Sequence, residues 1–295
     1  MKKFKIIKNL IGGKCETLTI NHQIPGGASF MTVYSGFCID NKVIIKMCSK
    51  KESLITQILQ NDENLYIVKL FDIFDHCKLK SFDTTNIISS QKNTDNYIII
   101  EELQPLKLYL DYTYKSFLSY PYIMIEHNLK FNKKNIEIIH IYITKDLINI
   151  LIKCASIIQY LHSKKIFYGD FKQENMGIDL DGNFKIFDFG ESILIEDSYK
   201  LIGQYDQHPL QNDILALGKL FINIITNRNV FAPGRHYTSH RFSLNEEDFE
   251  ILFKNLIIND HILTDFLKRM FNIKMKEYDN TILDLLLRYL KSLVD

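Results

Sequence analysis

The stretch from Tyr168 to Gly190 constrains the fold of this chain more than any other segment of the sequence. Two apolar runs in it, Met176–Ile178 and Asn183–Phe187, have the length of short buried strands, and Asp181-Gly182 between them is a hairpin turn signal. A third run, Lys165–Phe167, comes just before an acidic cluster. Short strands joined in this way place the polar residues that flank them at neighbouring strand ends.

Four polar residues of this stretch have the chemistry and spacing of a phosphoryl-transfer centre. Asn175 and Asp188 supply the hard oxygen atoms that Mg²⁺ prefers, and ATP reacts as its Mg²⁺ complex. The carboxylate of Asp170 is suited to accept the proton of an attacking hydroxyl group, and Lys172 supplies a positive charge for the transferring phosphoryl group. The spacing therefore indicates phosphoryl transfer.

Residues 168–175 read Y-G-D-F-K-Q-E-N and resemble the H-R-D-L-K-x-x-N catalytic loop of eukaryotic-type serine/threonine protein kinases, and D-F-G at 188–190 is intact. Tyr168 replaces the histidine of the motif, and Gly169 replaces the arginine that usually receives an activation-loop phosphate. The chain is therefore identified as a divergent, compact member of this family. Its many Ile, Lys and Asn residues are typical of an AT-rich genome, such as that of a virus or a parasite.

The resemblance implies a role for each of the four polar residues. Asp170 and Lys172 are the expected catalytic pair, in which the aspartate positions the substrate hydroxyl and takes its proton while the lysine stabilises transferred charge. Asn175 and Asp188 are the expected ligands of Mg²⁺, for which Mn²⁺ is an alternative. The implied reaction is ATP-dependent phosphorylation of serine or threonine in a protein substrate, whose identity the sequence leaves open.

Upstream segments resemble the nucleotide-binding parts of the same family. The run V-I-I-K that ends at Lys46 matches the V-A-I-K strand, whose lysine holds the α- and β-phosphates of ATP. Residues 25–34 resemble the glycine-rich loop, which implies phosphate contacts from Gly26 and Gly27 and a cover over the adenine from Val33. Alanine and methionine stand where the family has two further glycines, so the backbone is expected to approach the phosphates less closely there.

The lysine of this strand normally pairs with a glutamate on the helix that follows. Glu52 opens a run whose apolar residues recur at helical spacing, and it is the candidate partner of Lys46. Only five residues separate the two, so the helix is expected to be shortened at its start. Glu63 is the alternative partner.

A strand over residues 66–74 is expected next, followed by the hinge segment. Residues 97–103 read Y-I-I-I-E-E-L, which is typical of a buried strand that ends in a polar hinge. The resemblance implies that the carbonyl group of Glu101 and the amide group of Leu103 meet the adenine edge, with Ile100 as the gatekeeper.

Helical patterns dominate the second part of the chain. Thr144 is a candidate N-cap for a helix that runs to His162, because apolar residues recur on one face of that segment. Asp213 opens a run that resembles the family's D-x-W-S-x-G helix. It is either the anchor of the catalytic-loop backbone or a plain carboxylate at a helix N-terminus. Residues 75–96 resemble a polar insertion, and residues 113–143 carry no assignable pattern.

These patterns predict a single α+β domain with a two-lobed, protein-kinase-like fold. A small antiparallel-sheet N-lobe is expected over about residues 1–102, a hinge over about 103–106 and a mostly helical C-lobe over about 107–295. A chain of 295 residues is long enough to form two lobes with proper cores.

Charge and composition argue against several other classes of protein. The net charge of +1 gives no electrostatic case for nucleic acid or an anionic membrane as the main partner. No apolar run is long enough for a transmembrane helix, and charge rather than a signal-peptide core follows the N-terminus. Scattered cysteines without a C-x-x-C pair are typical of free thiols. The expectation is an intracellular, cytoplasmic protein, in the host cytoplasm if the chain is viral, of unknown oligomeric state.

Two alternative functions stay open. Kinase-like aminoglycoside and choline phosphotransferases carry a similar G-D turn, and the short segment 191–212 without an A-P-E motif favours a small-molecule phosphotransferase. Lys172 and Phe189 match protein kinases better. The changes at Tyr168 and Gly169 favour instead a pseudokinase that acts as a binding module, although the retained lysine, aspartates and asparagine argue against it.

Overall fold

The computed structural model describes residues 2–4, 18–24, 33–60, 65–75, 95–106, 139–195, 209–226, 246–271 and 281–295. Several residues singled out in the sequence lie outside these ranges, namely Gly26, Gly27, Glu63 and most of the segments 75–96 and 113–143.

The chain divides into two compact units. The first contains Met1–Gln104 and Gly177–Gly190, and the second contains Pro105–Met176 and Glu191–Asp295. The lobe and hinge boundaries drawn from the sequence stay a prediction.

An antiparallel sheet forms the centre of the first unit. Within the described residues it has six strands in the order β1-β2-β3-β4-β6-β5. The strands are β1 (Lys2–Phe4), β2 (Leu18–Gln23), β3 (Val33–Cys38), β4 (Asn41–Ser49), β5 (Leu70–Asp75) and β6 (Asp95–Glu101).

Side chains along the central strand β4 alternate between two apolar clusters. Val43 and Ile45 belong to one cluster, whereas Ile44 and Cys48 belong to the other. This alternation has a period of two residues, so Lys46 shares the face of Ile44 and Cys48. The sheet therefore carries a lysine into an otherwise apolar surface.

Helix α1 (Lys50–Leu59) follows β4 directly, without a connecting loop. The hydroxyl group of Ser49 caps it by accepting a hydrogen bond from the Glu52 backbone nitrogen at 3.1 Å. The helix thus begins two residues before Glu52, and the expected short connection between Lys46 and Glu52 is achieved by a strand that passes straight into a helix.

A hairpin of β10 (Met176–Ile178) and β11 (Phe184–Ile186) forms a second, three-stranded sheet with β7 (Gln104–Pro105). The hairpin predicted from the D-G signal is confirmed. Gly182 in its turn has φ of 82°, a left-handed conformation that glycine adopts at little cost. Asp179 holds the turn by accepting hydrogen bonds from the backbone nitrogens of Asp181 and Asn183, at 3.0 and 2.8 Å.

Strand β11 is also joined to the segment that leads into β5. The Ile186 backbone nitrogen donates to the Tyr66 carbonyl at 2.8 Å, and the Val68 nitrogen donates to the Ile186 carbonyl at 3.0 Å. Through these bonds the strand that precedes Asp188 is held within the first unit.

The second unit is mainly helical in its described part. Its helices are α2 (Lys145–Ser163), α3 (Pro209–Thr226), α4 (Glu246–Asn255), α5 (His261–Phe271) and α6 (Ile282–Ser292). Two short strand pairs accompany them: β9 (Ile166–Phe167) is antiparallel to β12 (Ile193–Leu194), and β8 (Ile139–Ile141) is parallel to β13 (Leu256–Ile258).

The core of the second unit surrounds α2, which packs against α3 and α6. The apolar face of α2 includes Leu151, Ile157 and Ile158, none of which has measurable exposed surface. Thr144 caps this helix as predicted, since its side chain accepts a hydrogen bond from the Leu147 nitrogen at 3.3 Å. A buried α2 therefore gives the loop that follows it a fixed starting point.

The sequence predicted the fold class in its coarse features and failed in some details. An α+β fold with an antiparallel sheet and several helices is confirmed. The strand expected from Tyr66 begins only at Leu70, because residues 65–66 form a turn. Cys38 is disulfide-bonded, so the expectation of free thiols is wrong for this residue. Along the described segments no helix is both long enough and apolar enough to cross a membrane.

Candidate active site

Lys46, Glu52 and Asp188 meet in the first unit. The Nζ atom of Lys46 lies 2.6 Å from Oε1 of Glu52 and 2.7 Å from Oδ1 of Asp188. The side chains of Lys46 and Glu52 are 9% and 0% exposed, whereas that of Asp188 is 36% exposed. One buried lysine is therefore shared by a buried helix carboxylate and a carboxylate that is open to solvent.

Three elements bring these residues together. Lys46 lies on β4 opposite Val33 of β3 and Ile98 of β6, and Glu52 lies in the first turn of α1. Asp188 follows β11. The structure pairs Lys46 with Glu52, the partner favoured in the sequence. It also brings Asp188 to the same lysine, although 142 positions separate the two residues.

Burial and charge act in opposite directions on the lysine. Burial by itself lowers the pKa of Lys46, but the charges and hydrogen bonds of Glu52 and Asp188 outweigh it and raise the pKa above its usual value. The ammonium group consequently stays charged at neutral pH and is suited to bind an anionic group such as a phosphate.

The backbone of Asp188 is left-handed. Its φ of 66° lies in a region that few residues other than glycine occupy, although aspartate occupies it more often than most. Such conformations cluster at functional sites. The contact with Lys46 and the hydrogen-bonded strand β11 hold the carboxylate in this position.

The second unit contains the other predicted polar group. Lys172 Nζ lies 2.6 Å from Oδ2 of Asp170, and the Asn175 side-chain nitrogen donates to the same Oδ2 at 2.9 Å and to the Asp170 carbonyl at 3.0 Å. Asn175 is buried, and it belongs to a single 3-10 turn at Gln173–Asn175. The loop thus fixes the aspartate with one positive charge and one amide.

The donor atoms fit Mg²⁺ in their chemistry. Because the Nδ2 atom of Asn175 is committed to Asp170, its Oδ1 atom is left to act as a hard oxygen ligand. Asp188 offers a partly exposed carboxylate. No group of three or more His, Cys, Asp or Glu side chains suited to a metal occurs in the described ranges.

Asp213 on α3 anchors the loop that carries Asp170. Its Oδ2 atom accepts a hydrogen bond from the Tyr168 backbone nitrogen at 2.8 Å, and its Oδ1 atom accepts one from the Gly169 nitrogen at 3.0 Å. Nε2 of His162 lies 3.1 Å from the same carboxylate. The structure therefore favours the anchoring role of Asp213 over a plain helix N-terminal carboxylate.

Gly169 is required by the shape of this loop. Its φ is 86°, and a Cβ atom at this position would lie 2.9 Å from the Glu191 carbonyl oxygen and 3.2 Å from Cε1 of Phe167. An arginine, which the family has here, would be strained in this backbone conformation. Tyr168 is fully buried edge-on to Phe171, with the ring centroids 6.1 Å apart.

The predicted adenine-binding residues lie on two interior strands of the sheet in the first unit and just beyond the end of one of them. Val33 is the first residue of β3, Ile100 is 4% exposed, and Glu101 ends β6. Leu103 packs against the apolar cluster that contains Ile100. Backbone groups of this segment are held from both sides, since the Glu101 nitrogen donates to the Lys69 carbonyl at 3.0 Å and the Glu102 nitrogen donates to the Lys42 carbonyl at 3.3 Å.

Sequence reasoning missed two groups of interactions near the site. Ser192 is fully buried, and its hydroxyl donates to the Tyr168 carbonyl at 2.9 Å. Lys185 lies 2.6 Å from Glu101 and 3.0 Å from Asp179. The only local signal for Lys185 was a charge inside an apolar strand pattern. Ser192, two residues after D-F-G, gave no such signal.

Comparison with protein-family models finds no match for this chain. Among curated proteins, the chain is 27% identical over 130 residues to developmentally-regulated protein kinase 1 of Dictyostelium discoideum, a match that covers 39% of this chain and 18% of that protein. Over 84 residues, 25% of this chain, it is 47% identical to two human proteins. These are the putative serine/threonine-protein kinase PRKY, of which the match covers 30%, and the cAMP-dependent protein kinase catalytic subunit PRKX, of which it covers 23%.

The chain therefore matches less than a third of the length of each of these curated relatives. All three proteins are named as protein kinases. The partial matches support a relationship of this chain to the protein kinase family.

Proposed function

We propose that this chain is an ATP- and Mg²⁺-dependent protein kinase with a two-lobed fold, and that it phosphorylates serine or threonine residues of a protein substrate. The observation that carries the proposal is the position of Lys46 between Glu52 and Asp188, at 2.6 and 2.7 Å. Of the two carboxylates, that of Asp188 is partly exposed and follows a left-handed backbone, which suits a group that binds a ligand.

In this proposal the first unit holds the nucleotide. Lys46 contacts the α- and β-phosphates, while Glu52 keeps its ammonium group in place. Glu101 and Leu103 bind the adenine through their backbone groups, and Val33 covers the ring. Gly26 and Gly27 stay proposed phosphate contacts from the sequence.

Asp170 positions the hydroxyl group of the substrate and accepts its proton as the oxygen attacks the terminal phosphorus atom of ATP, while the bond from that phosphorus to the bridging oxygen breaks and ADP leaves. Lys172, 2.6 Å from that carboxylate, stabilises negative charge on the transferred group. Asp188 and Asn175 would hold Mg²⁺, which neutralises phosphate charge when it is bound. The lysine two residues after the aspartate supports serine or threonine as the acceptor.

Phosphoryl transfer to a peptide library tests the proposal directly. Purified protein is incubated with radiolabelled ATP and Mg²⁺ and with peptides that contain serine, threonine or tyrosine as the acceptor. We expect label on serine or threonine peptides, and stabilisation of the protein by Mg²⁺ with ATP in a thermal-shift assay.

The same measurements separate the alternatives. The short segment 191–212 favours a small-molecule phosphotransferase, which would label an aminoglycoside or choline and leave every peptide unlabelled. Nucleotide binding without any transfer would indicate a pseudokinase. Absence of both binding and transfer would refute the assignment to nucleotide-dependent phosphotransferases.

A further inference from the structure

The hairpin of β10 and β11 makes a buried ionic contact that the proposed reaction does not use. Lys185 on β11 has its Nζ atom 2.6 Å from Oε1 of Glu101 and 3.0 Å from Oδ2 of Asp179. The three side chains are only 10%, 17% and 9% exposed. All three belong to the first unit.

Glu101 is the residue through which this contact reaches the predicted adenine-binding segment. Its Oε1 atom accepts hydrogen bonds from Lys185 and from the Lys69 backbone nitrogen, each at 2.6 Å. Its own backbone nitrogen donates to the Lys69 carbonyl at 3.0 Å. Both the side chain and the backbone of Glu101 are therefore fixed, and Lys185 supplies the positive charge of this arrangement.

Asp179 ties the same lysine to the turn of the hairpin. Its carboxylate accepts hydrogen bonds from two backbone nitrogens of the turn and from the Asn183 side chain, besides its contact with Lys185. Lys185 thus joins two rigid elements, the hairpin turn and the end of β6.

A second contact between the hairpin and the hinge segment is steric. A Cβ atom at Gly177 on β10 would lie 2.5 Å from Cβ of Leu103 and 3.1 Å from the Gln104 carbonyl oxygen. Leu103 consequently rests directly on the backbone of β10, an approach that only glycine permits. The segment from Glu101 to Leu103 is held against the hairpin by a charge at one end and by close packing at the other.

We propose that the β10–β11 hairpin is the platform that sets the position of the adenine-binding segment, and that Lys185 is its positioning residue. This inference rests on the proposed function, because it assigns the segment Glu101–Leu103 to the nucleotide base. Lys185 contacts neither the substrate nor the reacting atoms. It affects nucleotide binding by holding the side chain of Glu101.

The alternative is a lysine that serves only the stability of the core. Burial lowers the pKa of Lys185, but hydrogen bonds and charges from Glu101 and Asp179 outweigh it and raise the pKa. The lysine is therefore charged, and its removal leaves two carboxylates in one buried site without their cation. Without the lysine, the Asp179 carboxylate keeps three hydrogen bonds of the turn, whereas the Glu101 carboxylate keeps the one from the Lys69 nitrogen, so Glu101 is the side chain expected to move.

A positioning role and a stabilising role of Lys185 predict different kinetic constants for variants at this position. Contacts to the base are equally strong in the ground state and the transition state, so loss of their geometry raises KM for ATP and leaves kcat nearly unchanged. A purely stabilising lysine would lower the melting temperature but leave KM unchanged at temperatures where the protein is folded. Adenosine, which has no phosphates, reports on the base contacts alone.

The test compares Lys185→Met with Lys185→Arg and with Lys51→Met, a change of the same charge at an exposed lysine of α1. We expect Lys185→Met to raise KM for ATP and Kd for adenosine roughly tenfold, with kcat within about threefold of the unmodified protein. Lys185→Arg keeps a cation between the carboxylates and should stay within about twofold in all three constants. Lys51→Met should match the unmodified protein.

Two further variants keep the test decisive if Lys185→Met does not fold. Glu101→Gln removes one charge of the contact while it preserves an acceptor for the Lys69 nitrogen, and Gly177→Ala displaces Leu103 without any change of charge. Each should weaken adenosine binding several-fold. Unchanged binding of adenosine in all the folded variants would overturn the inference.

The failure of this inference is distinguishable from the failure of the proposed function. If the unmodified protein binds neither ATP nor adenosine, the proposed function fails and this inference fails with it. If the unmodified protein binds both and the variants at Lys185, Glu101 and Gly177 bind equally well, only the role of the hairpin is refuted.

Discussion

Each of the two aspartates that the proposed reaction needs is paired with a lysine, but the two pairs differ in their surroundings. Asp170 lies beside Lys172 and a buried asparagine, and its loop is fixed by Asp213. Asp188 lies beside Lys46, with a left-handed backbone and a carboxylate that is 36% exposed. The first arrangement suits a proton acceptor in a rigid loop, and the second suits a ligand of a cation.

The two aspartates should respond differently to neutral substitution. We expect Asp170→Asn to lower kcat about 10²- to 10⁴-fold while nucleotide binding stays nearly intact, because the amide keeps the shape but cannot accept the proton. Asp188→Asn should abolish transfer by removing charge from the proposed Mg²⁺ site. Asp265→Asn, a change at an exposed position on α5, is the control. Transfer at the unmodified rate in either purified active-site variant would contradict the assignment.

Replacement of Lys46 should impair both transfer and stability. We expect Lys46→Met to lower kcat/KM for ATP at least about 100-fold, because the phosphates lose a positioned positive charge. Removal of one partner from a buried ion pair also costs about 3–5 kcal/mol, so the melting temperature should fall. Steady-state kinetics well below that temperature separate the two effects. Full activity of the variant would mean that a different lysine holds the phosphates.

Gly169 offers a direct test of the backbone conformation in the catalytic loop. Gly169→Ala should destabilise the protein more than Gly182→Ala, measured as the free energy of unfolding in urea. Both residues have φ above 80°, so both substitutions carry about 1–2 kcal/mol of backbone strain. Only Gly169 also has the Glu191 carbonyl oxygen within 2.9 Å of the new methyl group, whereas no atom lies within 4 Å at Gly182. Equal losses at the two positions would show that the crowding at Gly169 is relieved by small shifts.

At the scale of secondary structure elements, the passage from β4 into α1 is the feature that brings Glu52 to Lys46. The strand ends at Ser49 and the helix begins at Lys50, so no loop lies between them. The position of Glu52 relative to Lys46 therefore depends directly on the geometry of this junction. The N-cap at Ser49 therefore serves two purposes: it stabilises the helix start, and it fixes the backbone of Glu52 itself.

Loss of this cap should change the position of Glu52 in the candidate active site. Ser49→Ala and Thr144→Ala each remove an N-cap hydrogen bond, and each should cost about 0.5–2 kcal/mol in stability. Only Ser49→Ala should also lower kcat for phosphoryl transfer, by several-fold, because only its helix carries Glu52. The comparison requires both the unfolding free energy and the transfer rate of each variant. Equal transfer rates would indicate that the Lys46–Glu52 pair holds α1 without the cap.

At the scale of the whole molecule, the lack of an arginine before Asp170 bears on regulation. In regulated kinases a phosphorylated loop residue is held by basic groups that include this arginine, through charge-assisted hydrogen bonds. Here the position is Gly169. The start of the following segment is already fixed in the second unit, where β12 pairs with β9 and Ser192 is buried.

We therefore predict that activity does not depend on phosphorylation of the segment 191–212. Protein stripped by a phosphatase should phosphorylate substrate as fast as untreated protein, and Ser198→Ala should have little effect. Mass spectrometry of the treated protein confirms that no phosphate is left. A large loss of activity after treatment, restored by incubation with ATP, would mean that another basic pocket replaces the arginine.

Much of the candidate site was predictable from the sequence because its parts are local. The spacing of Asp170, Lys172 and Asn175 places them on one short loop, where their contacts span only a few residues. The same holds for the hairpin between β10 and β11, whose turn is specified by Asp181-Gly182. In such cases steric and hydrogen-bonding preferences of neighbouring residues determine the structure, and they are present in the sequence itself.

Contacts between distant segments were decided only by the tertiary structure. Lys185 and Glu101 are 84 positions apart, Gly169 and Asp213 are 44 apart, and Lys46 and Asp188 are 142 apart. A single charge in a strand has the same local pattern whether it meets solvent or a buried partner. The sequence by itself predicted which residues would carry the chemistry of the proposed phosphoryl transfer. The register of the sheet and the packing of the hairpin decided which charges meet, because burial leaves a charged group stable only where the fold brings it an opposite charge.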